Sequence, residues 1–259
     1  MDTPIDMTRM SRKRACDGSA GISGAANERA ASCLDAAALY RLLAWLSPAY
    51  PTGAFSYSSG IEWAVEAGDI NDAATLRAWL TVMIAEGSMF CDAVFFAHAF
   101  RAAAQGNIAA LREVGELAVA FASSKERHLE TTAQGRAFLD VTRVAWPSAA
   151  LGRLEALADN GIALPIAVGA ACAGYGIALA SALQCYVQAA AANLVSAGVR
   201  LIPLGQSDGQ RLLAALEPVV AATVERALNT GLDDVGSAAV RADLASMRHA
   251  TQYPRLFRS

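Results

Sequence analysis

Residues 47–62 read Ser-Pro-Ala-Tyr-Pro-Thr-Gly-Ala-Phe-Ser-Tyr-Ser-Ser-Gly-Ile-Glu, and this irregular stretch separates two amphipathic helical patterns. Pro48 and Pro51 prevent a helix from continuing through it, and Gly53 permits a sharp turn. Three large rings lie on the segment, those of Tyr50, Phe55 and Tyr57. A simple linker does not need aromatic side chains, so we expect this segment to dock against another surface.

On either side of this segment, apolar residues recur at the spacing of an α-helix. Before it, the positions i, i+3, i+4 and i+7 are filled by Leu39, Leu42, Leu43 and Leu46. Asp35 is placed to cap the first turn of that helix, and a similar pattern follows Asp72. Ser207–Gln210 has capping-box spacing before another apolar stripe, and a last helix is expected over about Ser237–His249.

The whole chain favours helices over strands. No stretch alternates convincingly at a period of two residues, and the best strand candidate, Val199–Leu204, is interrupted by Pro203. The sequence therefore predicts an all-α fold, a single helical-bundle domain of about nine or ten helices over residues 34–249. Residues 1–33 mix Gly, Ser, Ala and charges without periodicity, so they are expected to form a disordered N-terminal tail.

The composition limits which kinds of partner and which cellular compartment are expected. The chain has 259 residues and a formal net charge of −3, and it shows no extended basic face, so nucleic acid is not an expected partner. Its five cysteines form no close pairs, which fits reduced cytoplasmic thiols better than a disulfide framework. Residues 9–14 are as basic as the start of a signal peptide, but no apolar segment follows, so we expect a cytoplasmic protein.

Residues 160–199 contain no charged side chain, which is long enough for a membrane span. Its window Ile162–Ser181 has few strongly apolar residues and includes Pro165, so its insertion into a bilayer is only weakly favoured. The alternative is a pair of buried helices, in which small residues every four positions let two backbones approach closely. Those residues are Ala170, Gly174, Ala178 and Ala182. We expect no membrane association, and a helical membrane protein is the weaker interpretation.

The sequence contains no nucleophile elbow, phosphate loop or dinucleotide fingerprint, the common motifs of catalytic sites. No two of His98, His128 and His249 lie within helical reach of each other, so they cannot assemble a metal site locally. His98 is interpreted as a core-edge side chain, and the helix that carries His128 and Glu130 as a solvated face. Asp92 is either a buried carboxylate with a raised pKa or a partner in a helix–helix hydrogen bond. An unrelated all-α enzyme that uses Asp92 and His98 as acid and base stays an alternative.

The end of the chain, residues 253–259, places Leu256 and Phe257 between Arg255 and Arg258. Leaving both apolar side chains exposed is costly in water, so we expect residues 250–259 to form a C-terminal tail that orders on a partner. The alternative is a tail that folds on its own domain.

These segments together resemble the UreF-type urease accessory proteins. Besides residues 47–62, the resemblance is carried in chain order by Glu130-Thr131 with Gln134–Arg136, Leu164–Gly169 leading to Gly176-Ile177, Asn193–Gln210, and Met247–His249 with Arg255–Ser259. The similarity spans about residues 35–259. Five such stretches in order are a far more specific signal than any one of them.

The resemblance implies an all-helical, dimeric chaperone without enzymatic activity of its own. It implies a scaffold that joins a UreD/UreH-type accessory protein and a UreG-type GTPase for nickel insertion into apo-urease. No cofactor is expected to bind stably, and nickel would pass through the complex. Regulation of the partner GTPase is a further expectation, and its direction stays open.

The resemblance and the two aromatic or cationic segments together give the expected partner-binding residues. They are Phe55, Tyr57, Glu62, Arg255, Leu256, Phe257 and Arg258. We expect the tail to dock into the UreD/UreH-type subunit, and Phe55, Tyr57 and Arg255 to lie near the GTPase-contacting surface or to support it. Whether Arg127, Arg136 or Arg200 contacts a partner is left open by the sequence.

Overall fold

A computed structural model of the chain describes residues 35–157 and 161–259. The N-terminal tail expected at residues 1–33 lies outside the described residues. Within them the regular structure is helical, which confirms the all-α prediction. The helices are α1 Ala36–Trp45, α2 Ile61–Glu66, α3 Ala73–Glu86, α4 Ser88–Ala104, α5 Ile108–Ala120, α6 Lys125–Ala145, α7 Ala149–Glu155, α8 Leu164–Gly174, α9 Leu179–Leu201, α10 Gln206–Asn229 and α11 Val240–His249. Short 3-10 turns lie at Ala54–Ser56 and Leu232–Asp234.

Local capping signals set the starts of several helices. Asp35 caps α1 by accepting a hydrogen bond from the backbone N–H of Ala38, and Asp72 caps α3 through the N–H of Thr75. At α10, however, the expected cap at Ser207 is wrong. The N-cap is Gly205, because the Asp208 carboxylate accepts the Gly205 N–H at 3.0 Å and so occupies that helix end.

Two further predictions are wrong, one at the end of α9 and one at the start of α11. Val199–Leu204, the best strand candidate, is instead the end of α9 and the turn that follows it. The final helix, expected from about Ser237, begins at Val240. Both errors fall at helix ends, where the apolar pattern gives the least information.

The uncharged stretch forms the centre of the domain. In α8 the eight residues Pro165–Cys172 are all buried, and the helix packs on α4. A Cβ added at Gly169 would lie 2.8 Å from the carbonyl oxygen of Phe96, so a glycine is needed where the two helices touch. The small-residue series divides between helices, because Ala178 caps α9 rather than continuing α8. The buried helix pair is therefore the correct interpretation of this stretch.

Among the described residues, one helical run, Ala73–Ala104, is long and apolar enough to cross a bilayer by length and composition alone. Gly87 divides this run into α3 and α4, and 67% of its most apolar window is buried inside the protein. Burial of this extent is typical of core helices.

Candidate functional site

The C-terminal segment, residues 252–259, lies against its own domain beside the end of residues 47–60, which we call the aromatic loop. The backbone N–H of Ser58 donates to the carbonyl oxygen of Ser259 at 2.6 Å, and the N–H of Arg258 donates to the carbonyl oxygen of Ser56 at 2.8 Å. The Ser58 hydroxyl also donates to the Ser259 carbonyl oxygen at 2.6 Å. The conformation observed is thus the alternative in which the tail folds on its own chain.

Glu62, in the first turn of α2, holds the middle of the C-terminal segment. Its Oε1 accepts the backbone N–H of Leu256 at 2.6 Å, and its Oε2 accepts that of Phe257 at 2.9 Å. The same Oε2 lies 2.9 Å from Nε2 of His249. One buried carboxylate therefore receives three donors, two of which belong to the C-terminal segment.

His249, at the end of α11, lies between two carboxylates and is fully buried. Its Nε2 faces Glu62, and its Nδ1 lies 3.3 Å from Oε2 of Glu126 on α6. The other oxygen of Glu126 accepts from Nη1 of Arg255 at 3.1 Å. These contacts tie α2, α6, α11 and the C-terminal segment together at one point.

A second group of charges continues from this point toward the core. Glu130 accepts the Ser59 hydroxyl on both carboxylate oxygens, at 2.9 and 3.0 Å, and the Ser259 hydroxyl at 3.0 Å. Nη1 of Arg127 lies 3.6 Å from Glu130, and its Nη2 contacts Asp92 on α4. We call Glu62, Glu126, His249, Glu130, Arg127 and Asp92 the polar cluster.

The electrostatic environment differs between the two ends of the polar cluster. Burial acts to raise the pKa of Glu62, but the hydrogen bonds from His249, Leu256 and Phe257 outweigh burial, so the pKa lies below its ordinary value. Burial raises the pKa of Asp92, and the Arg127 charge only partly opposes that effect. Asp92 is thus both a buried carboxylate with a raised pKa and a partner in a helix–helix contact, which joins the two interpretations drawn from the sequence.

Backbone geometry at Gly60 brings the parts of the site together. Gly60 has φ +84°, and a Cβ added there would lie 2.6 Å from the backbone nitrogen of Ser246 on α11. Only a glycine accepts that conformation at low cost and also allows so close an approach. This contact brings α11, and with it His249, against the start of α2.

The structure separates the expected partner-binding residues into two groups. Phe55 and Leu256 are 63% and 81% exposed, and Arg255 and Arg258 are also exposed. The other three are buried: Tyr57, Glu62 and Phe257. The sequence interpretation treats Leu256 and Phe257 alike, but only Leu256 is exposed. The guanidinium of Arg200 lies 4.5 Å from the ring centroid of the buried Phe257. The buried side chains of Tyr57, Glu62 and Phe257 therefore lie beneath the exposed ones and support them.

Sequence reasoning missed the acceptors for the tail on α6. The interpretation of the Lys125–Glu130 region as a solvated face is wrong for Glu126 and Glu130, which are 8% and 6% exposed. His128 on the same helix is exposed. The available signal was the i, i+4 spacing of the two glutamates, which places both on one side of the helix.

The aromatic loop docks on its own domain as well. The ring of Tyr50 packs against that of Phe138 in a tilted arrangement, with 5.4 Å between centroids, and the Tyr50 hydroxyl lies 2.7 Å from that of Thr142. Asn193 on α9 donates from Nδ2 to the carbonyl oxygen of Ala54 at 3.0 Å. The loop is thus fixed between α6 and α9, and Phe55 remains at the surface.

Two cavities adjoin the polar cluster. One of about 200 Å³ lies among the aromatic loop, α4, α6 and α9, and the other of about 210 Å³ lies among α4, α5, α6 and α11. The residues that line both are Ser88, Asp92, Arg127 and Thr131. The Asp92–Arg127 pair is therefore part of the wall of each cavity.

Asp92 and His98, which the enzyme alternative would use as acid and base, each contact another group of the protein. Asp92 contacts Arg127, and Nε2 of His98 lies 2.9 Å from the carbonyl oxygen of Thr230, which confirms His98 as a core-edge side chain. Burial raises the pKa of Cys91 to about 12, so this cavity-lining thiol is not an activated nucleophile. In residues 35–157 and 161–259, no group of three or more His, Cys, Asp or Glu side chains is arranged to hold a metal ion.

Comparison with known proteins gives consistent matches over most of the chain. A family model described as UreF matches residues 70–217. The urease accessory protein UreF of Rhodopseudomonas palustris (strain BisB5) is 58% identical over 228 residues, which are 88% of this chain and 94% of that protein. The protein of the same name from Bradyrhizobium sp. (strain BTAi1) is 60% identical over 226 residues, covering 87% of this chain and 94% of its own.

Proposed function

The chain belongs to the UreF family of urease accessory proteins, and from this membership we propose that it acts in urease maturation as a non-catalytic assembly chaperone. It joins a UreD/UreH-type accessory protein to a UreG-type GTPase, so that nickel is inserted into apo-urease. It works in the cytoplasm as a homodimer and regulates the GTPase through contact.

The observation that carries this proposal is the fixed C-terminal segment with Leu256 exposed on it. Leu256 is 81% exposed, while its neighbour Phe257 is 5% exposed and anchors the segment. An apolar side chain held outward on an ordered backbone loses little conformational entropy when a partner covers it. Exposed Arg255 and Arg258 lie on either side of the Leu256–Phe257 pair, and arginine is enriched among the side chains that dominate binding energy. We therefore assign the UreD/UreH-type subunit to this surface.

The GTPase contact is proposed at the aromatic loop. Phe55 is 63% exposed on a loop that Tyr50 and Asn193 fix to the domain. Tyr57, buried below it, supports the loop, with the guanidinium of Arg258 5.9 Å from its ring centroid. The two proposed surfaces therefore adjoin each other, which suits a scaffold that joins two partners.

Nickel is proposed as cargo that passes through the assembled complex without a resident site on this chain. Of the two cavities that share the Asp92–Arg127 pair, the one of about 200 Å³ is also lined by Phe55 of the proposed GTPase surface, and the carboxylate of Asp92 is a possible oxygen ligand for a divalent cation.

The test of the proposed function uses cells that lack this chain but retain urease and the other accessory proteins. Urease activity is measured while nickel in the medium is increased, with and without re-expression of the chain. Failure at every nickel level, repaired by re-expression, supports a role in assembly. Recovery by nickel alone would assign the chain to metal uptake instead.

The docking surface is tested by capture of the UreD/UreH-type subunit on the full-length chain. Leu256→Ser should weaken capture, whereas the control Val240→Ser, at a 65% exposed valine on α11, should not. Undiminished capture by Leu256→Ser rejects the tail as the docking element. Phe55→Ser provides the same test for recruitment of the GTPase.

A further inference from the structure

His249 has a carboxylate at each ring nitrogen and no exposure to solvent. Glu62 Oε2 lies 2.9 Å from Nε2, and Glu126 Oε2 lies 3.3 Å from Nδ1. A neutral imidazole carries one N–H and one lone pair, so one of its nitrogens would face a carboxylate oxygen without a proton between them. Such a contact inside a protein is strongly unfavourable.

The proton cannot easily reside on a carboxylate instead. Both oxygens of Glu62 already accept backbone N–H groups, from Leu256 and Phe257. The free oxygen of Glu126 accepts from Arg255. Oε2 of Glu126 faces only Nδ1 of His249, so two charged carboxylates at this point are both satisfied by an imidazolium, which donates from both nitrogens.

We propose that His249 is a positioning residue, whose imidazolium fixes Glu62 so that Glu62 holds the amides of Leu256 and Phe257. Fixing two successive amides fixes the backbone between them, and so determines which side chain faces the domain and which faces solvent. His249 thereby sets the outward placement of Leu256 and the burial of Phe257. The consequence of this placement for partner binding rests on the proposed function.

The contacts within the polar cluster explain why a charge on His249 affects the placement of Leu256 and Phe257. Glu62 carries no hydrogen bond from its own helix side chains and is oriented by donors from α11 and the C-terminal segment. Arg255 is the cation on the far side of Glu126, and its side chain is 41% exposed. The buried cation between the two glutamates is therefore His249, and without it they would repel each other across the site.

The first test observes the protonation of the unaltered protein. In the ring nitrogen NMR spectrum of the full-length chain at neutral pH, His249 should show two protonated nitrogens, and exposed His128 serves as the reference. One unprotonated nitrogen at His249 would overturn the proposal. This measurement needs no variant and does not depend on any variant folding.

The second test measures amide hydrogen exchange of residues 255–258 in His249→Gln and Glu62→Gln, with His128→Gln as the matched control. In both site variants the amides of Leu256 and Phe257 should exchange about tenfold faster or more, the ratio expected when a hydrogen bond to a charged group is lost. The control should leave them unchanged. Unchanged protection in His249→Gln, in a folded protein, also overturns the proposal.

Capture of the UreD/UreH-type subunit separates the two proposals. If the unaltered chain captures nothing while the variants release the two amides, the docking assignment fails and the role of His249 stands. If the unaltered chain captures the subunit and His249→Gln retains both amide protection and capture, the role of His249 fails and the docking assignment stands.

Discussion

Glu62 and His249 are 187 positions apart in the sequence, yet Glu62 Oε2 lies 2.9 Å from His249 Nε2. The contact joins α2, near the start of the described chain, to the last helix, and both side chains are buried. The same glutamate holds the C-terminal segment through Leu256 and Phe257. Loss of this one carboxylate should therefore affect stability and the shape of the proposed partner surface together.

Glu62→Ala should lower the free energy of unfolding by about 3–5 kcal/mol, because it leaves a buried charged partner uncompensated. Glu66→Ala is the matched control, since Glu66 lies one turn later on α2 and is exposed. The control should change stability by less than about 0.5 kcal/mol. Urea denaturation followed by circular dichroism measures both. Equal effects of the two substitutions would show that the buried contact contributes nothing specific.

Glu62 should also contribute to the loss of stability in acid. Its folded-state pKa is lowered from 4.5, so the unfolded chain binds the proton more readily and stability rises with pH across this range. The contribution is fully present above the unfolded value and is lost as pH falls through the folded value. Glu62→Gln lacks the group, so the stability difference between the unaltered protein and this variant should shrink below about pH 4.5.

Urea denaturation at a series of pH values provides the measurement. The difference between the two proteins should be constant from about pH 7 to about pH 5 and should decrease toward about pH 3. A difference that stays constant across the whole range would mean that the pKa of Glu62 is the same in the folded and unfolded chains.

The helices were largely predictable because their signals are local. Apolar spacing and the caps at Asp35 and Asp72 act within a few residues, and the structure places α1 and α3 there. The packing of α8 and of one side of α9 in the core was also predictable, since an uncharged stretch with weak insertion tendency belongs in a core. What remained ambiguous was where helices end, as at Ser207 and Ser237.

The candidate site was less predictable because its contacts are distant in sequence. The tail was recognised as unusual, but its partners Ser58, Glu62 and Glu130 lie about 130–200 positions away. The i, i+4 spacing of Glu126 and Glu130 places both on one side of α6, but it does not say whether that side faces inward. The side of a polar helix that is buried depends on what packs against it, and here that is the end of the chain.

Gly60 should be the least replaceable glycine near the site. In Gly60→Ala the new Cβ would lie 2.6 Å from the backbone nitrogen of Ser246, so α11 must move. Gly53→Ala is the matched control, because Gly53 also has positive φ, at +72°, but nothing lies within 4 Å of its added Cβ. Both carry the cost of a left-handed residue, about 1–2 kcal/mol.

The clash of the added Cβ with Ser246 should make Gly60→Ala more destabilising than Gly53→Ala by about 1–3 kcal/mol, the usual range for overpacking. Thermal unfolding at neutral pH measures the difference. Exchange of the Leu256 amide should also rise in Gly60→Ala alone, since a shift of α11 moves His249 away from Glu62. Matching stabilities for the two variants would mean that the contact with Ser246 is easily relaxed.

Leu256 and Phe257, adjacent in sequence, should respond to substitution in opposite ways. Phe257 is 5% exposed under Arg200, so Phe257→Ala should lower the free energy of unfolding by about 3 kcal/mol. Leu256 is 81% exposed, so Leu256→Ala should stay within about 0.5 kcal/mol of the unaltered protein. Capture of the UreD/UreH-type subunit should fall in both, because one variant removes the contact and the other releases the segment that presents it. Amide exchange of the segment distinguishes the two causes, since it should rise only in Phe257→Ala. A loss of stability in Leu256→Ala as large as that in Phe257→Ala would contradict the inward and outward placement on which the proposed surface depends.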